Sequence, residues 1–142
     1  MISGFFFVFD QVLKYLARTF PTDKFHLIQN WLGWEYFENP GIAFSLPFPN
    51  AALVIATPII LLILVAYIGK KKDLDNNVFL GANLIFFGAI SNFTDRILFE
   101  VTIDYIRIAT SVINIADVMI ILGTLILIFP KKAQGIDKTS QT

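Results

Sequence analysis

Long uncharged apolar stretches are the feature that most constrains the fold of this chain. A helix needs about 20 mostly apolar residues to cross the hydrocarbon core of a bilayer. The stretch 51–69 meets this requirement without a single charged residue. Only 15% of the whole chain is charged, against roughly a quarter in soluble domains. We therefore predict an integral membrane protein.

Four apolar segments are predicted to cross the bilayer, at about 2–19, 51–69, 78–93 and 113–129. Pro58 predicts a kink in the second. The first segment contains charged residues but lacks the basic start and small-residue cleavage site of a signal peptide, so we expect a span there. The predicted fold class is all-α, a bundle of four transmembrane helices in a single membrane domain covering 1–142.

Lysine clusters predict how these helices are oriented. One cluster lies between the second and third spans, and the other follows the fourth span: Lys70, Lys71 and Lys72, then Lys131, Lys132 and Lys138. The positive-inside rule assigns both clusters, and therefore both termini, to the cytoplasmic side. Segments 20–50 and 94–112 then face outward, and the tail after Lys132 is expected to be disordered.

The predicted outer segments contain aromatic residues and stretches in which polar and apolar residues alternate. Trp31, Trp34, Tyr36 and Phe37 are aromatic residues of the kind that favours the membrane interface. Polar and apolar residues alternate through WEYFEN, and again through VTIDYIRI in the second outer segment. This period of two predicts a small extramembrane β element on the outer face.

Composition also excludes several kinds of chemistry. The formal net charge is zero, which argues against a nucleic-acid partner. The chain contains no cysteine and one histidine, His26, so disulfides, thiolate metal sites, a cysteine nucleophile and a histidine-rich metal cage are excluded. We expect His26 at the surface and no metal or cofactor. Chemistry would then depend mainly on carboxylates, amides, hydroxyls, arginines and lysines.

Three predicted spans carry polar side chains to a similar depth. At about 1.5 Å per residue, Asp10, Asn92 and Asp117 lie roughly 14, 21 and 18 Å above the inner ends of their spans. Asp95 and Arg96 are expected in the outer loop just above, together with Asp104. Ionisable groups inside a membrane are costly, so this convergence predicts a site in the outer half of the bilayer.

Local spacing pairs some of these residues. Asp10 and Lys14, four residues apart, predict an ion pair that packs the first helix against the bundle. Asn114 and Asp117, three apart, are expected on one face of the fourth span. Asp95 and Arg96 are expected to orient and neutralise neighbouring groups. Asn92 and Asn114 have the alternative of joining helices through amide hydrogen bonds.

The residues alone leave two functions open. Two carboxylates a few ångströms apart share a proton, so that one activates water and the other polarises an amide carbonyl. This favours an aspartyl hydrolase. A proton-coupled carrier also uses membrane carboxylates, but the second and fourth spans are apolar below Asp117, so a proton path through the inner half is missing. A structural or assembly protein is a third class, which leaves the asparagine–aspartate blocks unexplained.

Five ordered blocks resemble the lipoprotein signal peptidase family, also called signal peptidase II. They are FDQVLKYL (9–16), NPGIAFS (39–45), GAISNFTDR (88–96), IDYI (103–106) and INIADVMI (113–120). Each block alone is a weak signal, but five in order across nearly the whole chain are a strong one. Ser91 departs from the family pattern, which has glycine before Asn92.

The resemblance implies specific roles for the polar residues. It makes Asp104 and Asp117 the catalytic pair, and Asp10 and Lys14 a structural ion pair. The positions implied to contact substrate or support the pair are Asn39, Gly41, Asn92, Arg96 and Asn114.

The resemblance also implies a substrate and a location. The substrate would be a prolipoprotein whose cysteine bears diacylglycerol, cleaved just before that cysteine without a cofactor. The protein would lie as a monomer among the lipids of the bacterial cytoplasmic membrane, with its site toward the outer leaflet.

Overall fold

The computed structural model describes residues 2–28, 31–42, 46–71 and 74–129. Its helices are α1 (Ile2–Thr19), α2 (Asn50–Gly69), α3 (Asn76–Phe99) and α4 (Ile115–Ile128), and its strands are β1 (Phe25–Ile28), β2 (Leu32–Asn39), β3 (Thr102–Ile108) and β4 (Ser111–Ile113). Lys72, Lys131, Lys132, Lys138 and the predicted disordered tail lie outside the described residues. Residues 43–45 of the NPGIAFS block also lie outside them.

Two of the described helices, α2 and α3, are long and apolar enough to cross a membrane by length and composition. None of the apolar window of α2 is buried within the protein. Its side chains Ile55, Leu62 and Ile63 are each more than half exposed, as suits a helix that contacts lipid. Helix α4 is apolar but only 14 residues long, and α1 carries Asp10, Lys14 and Arg18.

The structure corrects the predicted boundaries of the third and fourth segments. Helix α3 continues to Phe99, so Asp95 and Arg96 lie on the helix and not in a loop. They are tolerated there because both side chains have buried partners. The fourth segment was expected to be helical from 113, but Ile113 belongs to β4 and Asn114 is the N-cap of α4.

The predicted β element is a four-stranded antiparallel sheet in the order β1–β2–β3–β4. Both alternating segments form strands, WEYFEN in β2 and TIDYIRI in β3. Ile103 and Tyr105 of β3 are buried against Ala17 of α1, and the Tyr105 ring lies 5.1 Å from that of Trp34. This core fixes β3 relative to the helices.

Small residues allow α3 and α4 to pack closely. A Cβ atom on Gly88 would lie 2.7 Å from the carbonyl oxygen of Ala116, and one on Gly123 would lie 2.5 Å from that of Gly81. Both distances are too short for a real contact. The close approach brings the C-terminal half of α3, with Asn92, against the first turn of α4, with Asp117.

Candidate active site

Asp104 is the third residue of β3 and is fully buried. Asn39, at the end of the neighbouring strand β2, donates its side-chain amide to Asp104 Oδ2 at 2.9 Å. Asn114 donates to Asp104 Oδ1 at 2.7 Å. Both oxygens of this carboxylate therefore have an amide donor, which holds the carboxylate plane in one orientation.

Asp117 lies in the first turn of α4, where it forms a capping box with Asn114. The Asn114 side-chain oxygen accepts a hydrogen bond from the Asp117 backbone N–H at 2.8 Å. Asp117 Oδ2 accepts one from the Asn114 backbone N–H at 3.4 Å. The first helical turn thus positions both side chains, since the cap fixes the backbone at the point where they leave it.

Asn92 of α3 connects the two aspartates. Its side-chain amide donates to Asp117 Oδ1 at 2.8 Å, and its oxygen accepts from Asn114 Nδ2 at 3.1 Å. Because Asn114 also donates to Asp104, two asparagines link the two carboxylates through a short path of hydrogen bonds. Elements β3, α3 and α4 meet at this point.

The hydrogen-bond partners fix which way each asparagine amide faces. Lys14 can only donate hydrogen bonds, and its Nζ lies 2.9 Å from the Asn92 oxygen. Asn92 must then present its NH₂ group to Asp117. The Asn39 oxygen accepts the Gly41 N–H at 3.0 Å, so its NH₂ group faces Asp104.

The electrostatic environment favours a proton on Asp104. Burial, reinforced by the charge of Asp117, raises the pKa of Asp104 to about 7. Hydrogen bonds from Asn39 and Asn114, and the positive charge of Lys14, act in the opposite direction but do not outweigh these causes. A carboxyl group with a pKa near neutrality exchanges protons readily at the pH of the cell.

Lys14 lies at the centre of a second, adjoining network. Its Nζ is 3.0 Å from Asp10 Oδ2 and 2.8 Å from Asp95 Oδ2, with all three side chains at most 3% exposed. One buried cation therefore contacts two carboxylates. Because Lys14 also donates to Asn92, this network is continuous with the one that holds the aspartate pair.

Asp10 and Asp95 connect Lys14 to other elements. Asp10 Oδ1 accepts hydrogen bonds from the Tyr105 hydroxyl at 2.7 Å and from the Ala116 N–H at 3.3 Å. The other oxygen, Oδ2, accepts from the Ser91 hydroxyl at 2.5 Å. Asp95 Oδ2 accepts from the Ile103 N–H at 3.1 Å, which ties α3 to β3 directly before Asp104.

Arg96 lies on the other side of the pair, beside the chain that follows β2. Its guanidinium donates to the Gly41 carbonyl oxygen at 2.6 Å. The Arg96 carbonyl oxygen in turn accepts from Asn50, at the first residue of α2, at 3.4 Å. Arg96 thereby connects the turn after Asn39 to α2 and α3.

A cavity of about 270 Å³ lies beside Asp117. Its lining combines polar groups of the site with apolar side chains: Asn39, Ile42, Thr57, Ala89, Asn92, Phe93, Arg96, Thr102, Asp117, Ile120 and Ile121. A space of this size admits a short segment of extended peptide next to the Asp117 carboxylate.

The sequence-predicted site residues form two connected groups. The first group contains Asp104, Asp117, Asn39, Gly41, Asn92, Arg96 and Asn114. Four of its members line the cavity: Asn39, Asn92, Arg96 and Asp117. Behind them lie Asp10, Lys14 and Asp95.

Sequence reasoning did not identify Tyr105, Asn50 or Thr102 as members of this region. Only Tyr105 carried a signal, since it directly follows Asp104. Its hydroxyl both donates to Asp10 and accepts the Ile115 N–H at 3.2 Å. The arrangement brings two buried carboxylates, linked through asparagine amides, into one region, with a cavity beside Asp117.

Comparison with known proteins gives a consistent result. The family described as signal peptidase (SPase) II matches residues 2–131. A lipoprotein signal peptidase of Chlorobium phaeobacteroides is 30% identical over 89% of this chain and 85% of its own length. One of Staphylococcus aureus is 31% identical over 90% of this chain and 83% of its own length.

Two solved structures are also similar to this chain. A bacterial membrane enzyme matches with a TM-score of 0.82 at 31% identity, over 89% of this chain and 82% of that chain. A second bacterial membrane enzyme matches with a TM-score of 0.78 at 30% identity, over 89% of this chain and 87% of that chain.

Proposed function

The chain belongs to the signal peptidase II family of membrane proteases, which remove signal peptides from prolipoproteins, and from this premise we propose that it is an aspartyl endopeptidase. Its substrate would be a prolipoprotein bearing diacylglycerol on the cysteine that becomes the new N-terminus. Asp104 and Asp117 would be its catalytic pair. The observation that supports this most strongly is the buried network in which two asparagines join these carboxylates.

In the proposed mechanism the two aspartates share one proton. Asp104, whose pKa is raised to about 7, donates a hydrogen bond to the scissile carbonyl oxygen. Asp117 in its ionised form takes a proton from a water molecule, which attacks the carbonyl carbon. Asp117 then gives this proton to the leaving nitrogen as the C–N bond breaks, so the tetrahedral intermediate collapses to a carboxylic acid and a free amine and the pair returns to its starting protonation state. No covalent enzyme intermediate forms.

The amide side chains would prepare this pair for catalysis. Asn39 and Asn114 hold Asp104, and Asn92 holds Asp117, in geometries set before substrate arrives. Arg96 and Gly41 would hold the turn that borders the cavity. Asp10, Lys14 and Asp95 would fix α1, α3, α4 and β3 relative to one another. Preorganisation of this kind lowers the reorganisation needed in the transition state.

We propose that all four helices cross the bacterial cytoplasmic membrane as one monomeric domain with both termini inside. Lys70 and Lys71 at the end of α2 would mark the inner face, and the sheet would lie at the outer face. The chain has no cysteine, so single thiols can test this arrangement. A cysteine at the exposed position Thr22 should react with a membrane-impermeant reagent in intact cells. One at the exposed position Asn76 should not, and the reverse pattern would invert the topology.

The activity itself can be tested with purified protein in detergent. A diacylglyceryl prolipoprotein should lose its signal peptide, and mass spectrometry should find the lipidated cysteine at the new N-terminus. The unlipidated precursor should be a much poorer substrate, because each methylene held in hydrocarbon contributes about 0.8 kcal/mol. Activity should survive EDTA, since the sequence offers no cysteine and a single histidine. A wild-type protein that folds but leaves the lipidated precursor intact would refute the proposed function.

The pKa of Asp104 makes a prediction about pH. Because this carboxyl is protonated below about pH 7 and must carry the shared proton, kcat/KM should fall as the pH rises above about 7. Asn39→Ala removes a hydrogen bond that lowers the pKa of Asp104, so the descending limb should move to higher pH in this variant. The check is a pH profile of kcat/KM for both proteins. If the descending limb stays at the same pH in Asn39→Ala, a group other than Asp104 controls it.

A further inference from the structure

Thr102 is an exception to the hydrogen bonding of the buried site. Within the described parts of the chain, its hydroxyl is the only buried side-chain oxygen or nitrogen that has no hydrogen-bond partner. The residue is 2% exposed. Buried hydroxyls normally have a partner, because an unpaired polar group away from water is unfavourable. The neighbouring Asp95, Asp104 and Asn114 all follow that rule.

Thr102 lies close to Asp104 of the proposed catalytic pair. It lies two residues before Asp104 on β3, and since side chains alternate along a strand, both belong to the same face. Its partner across the sheet is Asn39, the residue that donates to Asp104. Thr102, Asn39 and Asp117 all line the same cavity.

We propose that the Thr102 hydroxyl hydrogen-bonds a main-chain carbonyl oxygen of the bound precursor, about two residues from the scissile bond. Two residues of strand span about 6.8 Å, and an extended substrate that runs along β3 advances by the same distance. If the scissile bond lies at Asp104, the Thr102 hydroxyl would then face the substrate residue two positions away from that bond. This inference rests on the proposed function and adds a positioning residue to it.

A hydroxyl so placed would contribute to substrate binding and not to bond cleavage itself. Its contact with the main chain would exist both in the bound ground state and in the transition state. Uniform binding of this kind raises KM when it is removed and leaves kcat unchanged. If the hydroxyl only supported the fold, its removal would instead lower the thermal stability.

The test compares Thr102→Val, which has nearly the same shape but no hydroxyl, with Thr102→Ser, which keeps the hydroxyl. For Thr102→Val we expect KM for the lipidated prolipoprotein to rise about fivefold to tenfold, as loss of one neutral hydrogen bond predicts, with kcat within twofold. Its Tm should be equal to or above that of the wild type, since an unpaired buried hydroxyl is removed. Thr102→Ser should restore KM to within twofold.

A matched control is Thr124→Val. The Thr124 hydroxyl, on the exposed side of α4, already donates a hydrogen bond to the Ile120 carbonyl oxygen. This variant should leave KM unchanged. If Thr102→Val unfolds in detergent, Thr102→Ala against Thr102→Ser makes the same comparison. A wild-type KM in a folded variant that lacks the Thr102 hydroxyl would overturn the inference while leaving the proposed function intact.

A second arm separates the peptide from the lipid as the source of the carbonyl. The ester carbonyls of the diacylglyceryl group are the alternative acceptors. A substrate with ether-linked chains lacks them and keeps every peptide carbonyl. The KM penalty of Thr102→Val should persist with this substrate. A penalty that disappears with the ether-linked substrate would overturn the assignment to the peptide main chain.

Discussion

Asp104→Asn and Asp117→Asn should each lower turnover of the lipidated prolipoprotein by roughly 10³-fold or more while the protein stays folded and inserted. Each substitution keeps the shape of the side chain but removes the ability to hold and transfer a proton. Because the two carboxylates act as a unit, the double variant should be little worse than either single variant. The measurement is single-turnover cleavage in detergent, with thermal unfolding recorded for every variant.

Two controls make the same chemical change at other aspartates. Asp95 is buried beside the site but contacts Lys14 and the Ile103 N–H, so Asp95→Asn should reduce activity or stability only in part. Asp23 is exposed in the turn after α1, and Asp23→Asn should leave turnover at the wild-type level. If Asp95→Asn eliminated turnover and Asp104→Asn did not, the catalytic pair would be Asp95 and Asp117.

The fold was most predictable where one physical requirement dominates the local sequence. The stretch 51–69 is mostly apolar and contains no charged residue, and α2 covers Asn50–Gly69. Alternation of polar and apolar residues predicted β2 and β3 because a strand with one buried face requires it. Such signals depend on neighbouring residues only, so a single sequence contains them.

The boundaries that were mispredicted depend on distant partners. In the sequence, the charges of Asp95 and Arg96 suggest that the apolar span has ended, yet both residues lie within α3. Lys14 pairs with Asp95, and the Gly41 carbonyl oxygen accepts a hydrogen bond from Arg96. Asn114 was placed inside a helix, whereas its side chain caps α4 and bridges to Asp104. Neither contact can be derived from spacing along the chain.

The candidate site was likewise predictable in part, and the rest depended on contacts between distant residues. Converging depth predicted that Asp10, Asn92 and Asp117 belong to one region, and the Lys14 contacts join them. Depth alone could not identify the partner of Asp117, and Asp104 was chosen over Asp95 through the family motif. Tyr105 and Thr102 were missed, because an aromatic residue or a threonine in a strand is ordinarily explained by packing.

Lys14→Met should destabilise the protein more than any of the aspartate or threonine substitutions. The lysine ammonium is the cation shared by Asp10 and Asp95, whose side chains are 0% and 2% exposed. Removing it leaves two buried carboxylates facing each other, and breaking a buried ion pair on one side costs about 3–5 kcal/mol. Turnover should fall as well, because Asn92 loses the donor that orients its amide toward Asp117.

Two comparisons separate this loss from a general effect of removing a lysine. Lys24 pairs with Glu35, but its side chain is 51% exposed, so Lys24→Met should cost at most about 1 kcal/mol. In the double variant Lys14→Met/Asp95→Asn, one of the two uncompensated charges is gone, so it should be more stable than Lys14→Met alone. Thermal unfolding in detergent measures all three. If Lys14→Met melted at the same temperature as Lys24→Met, the buried network would not hold α1, α3 and β3 together.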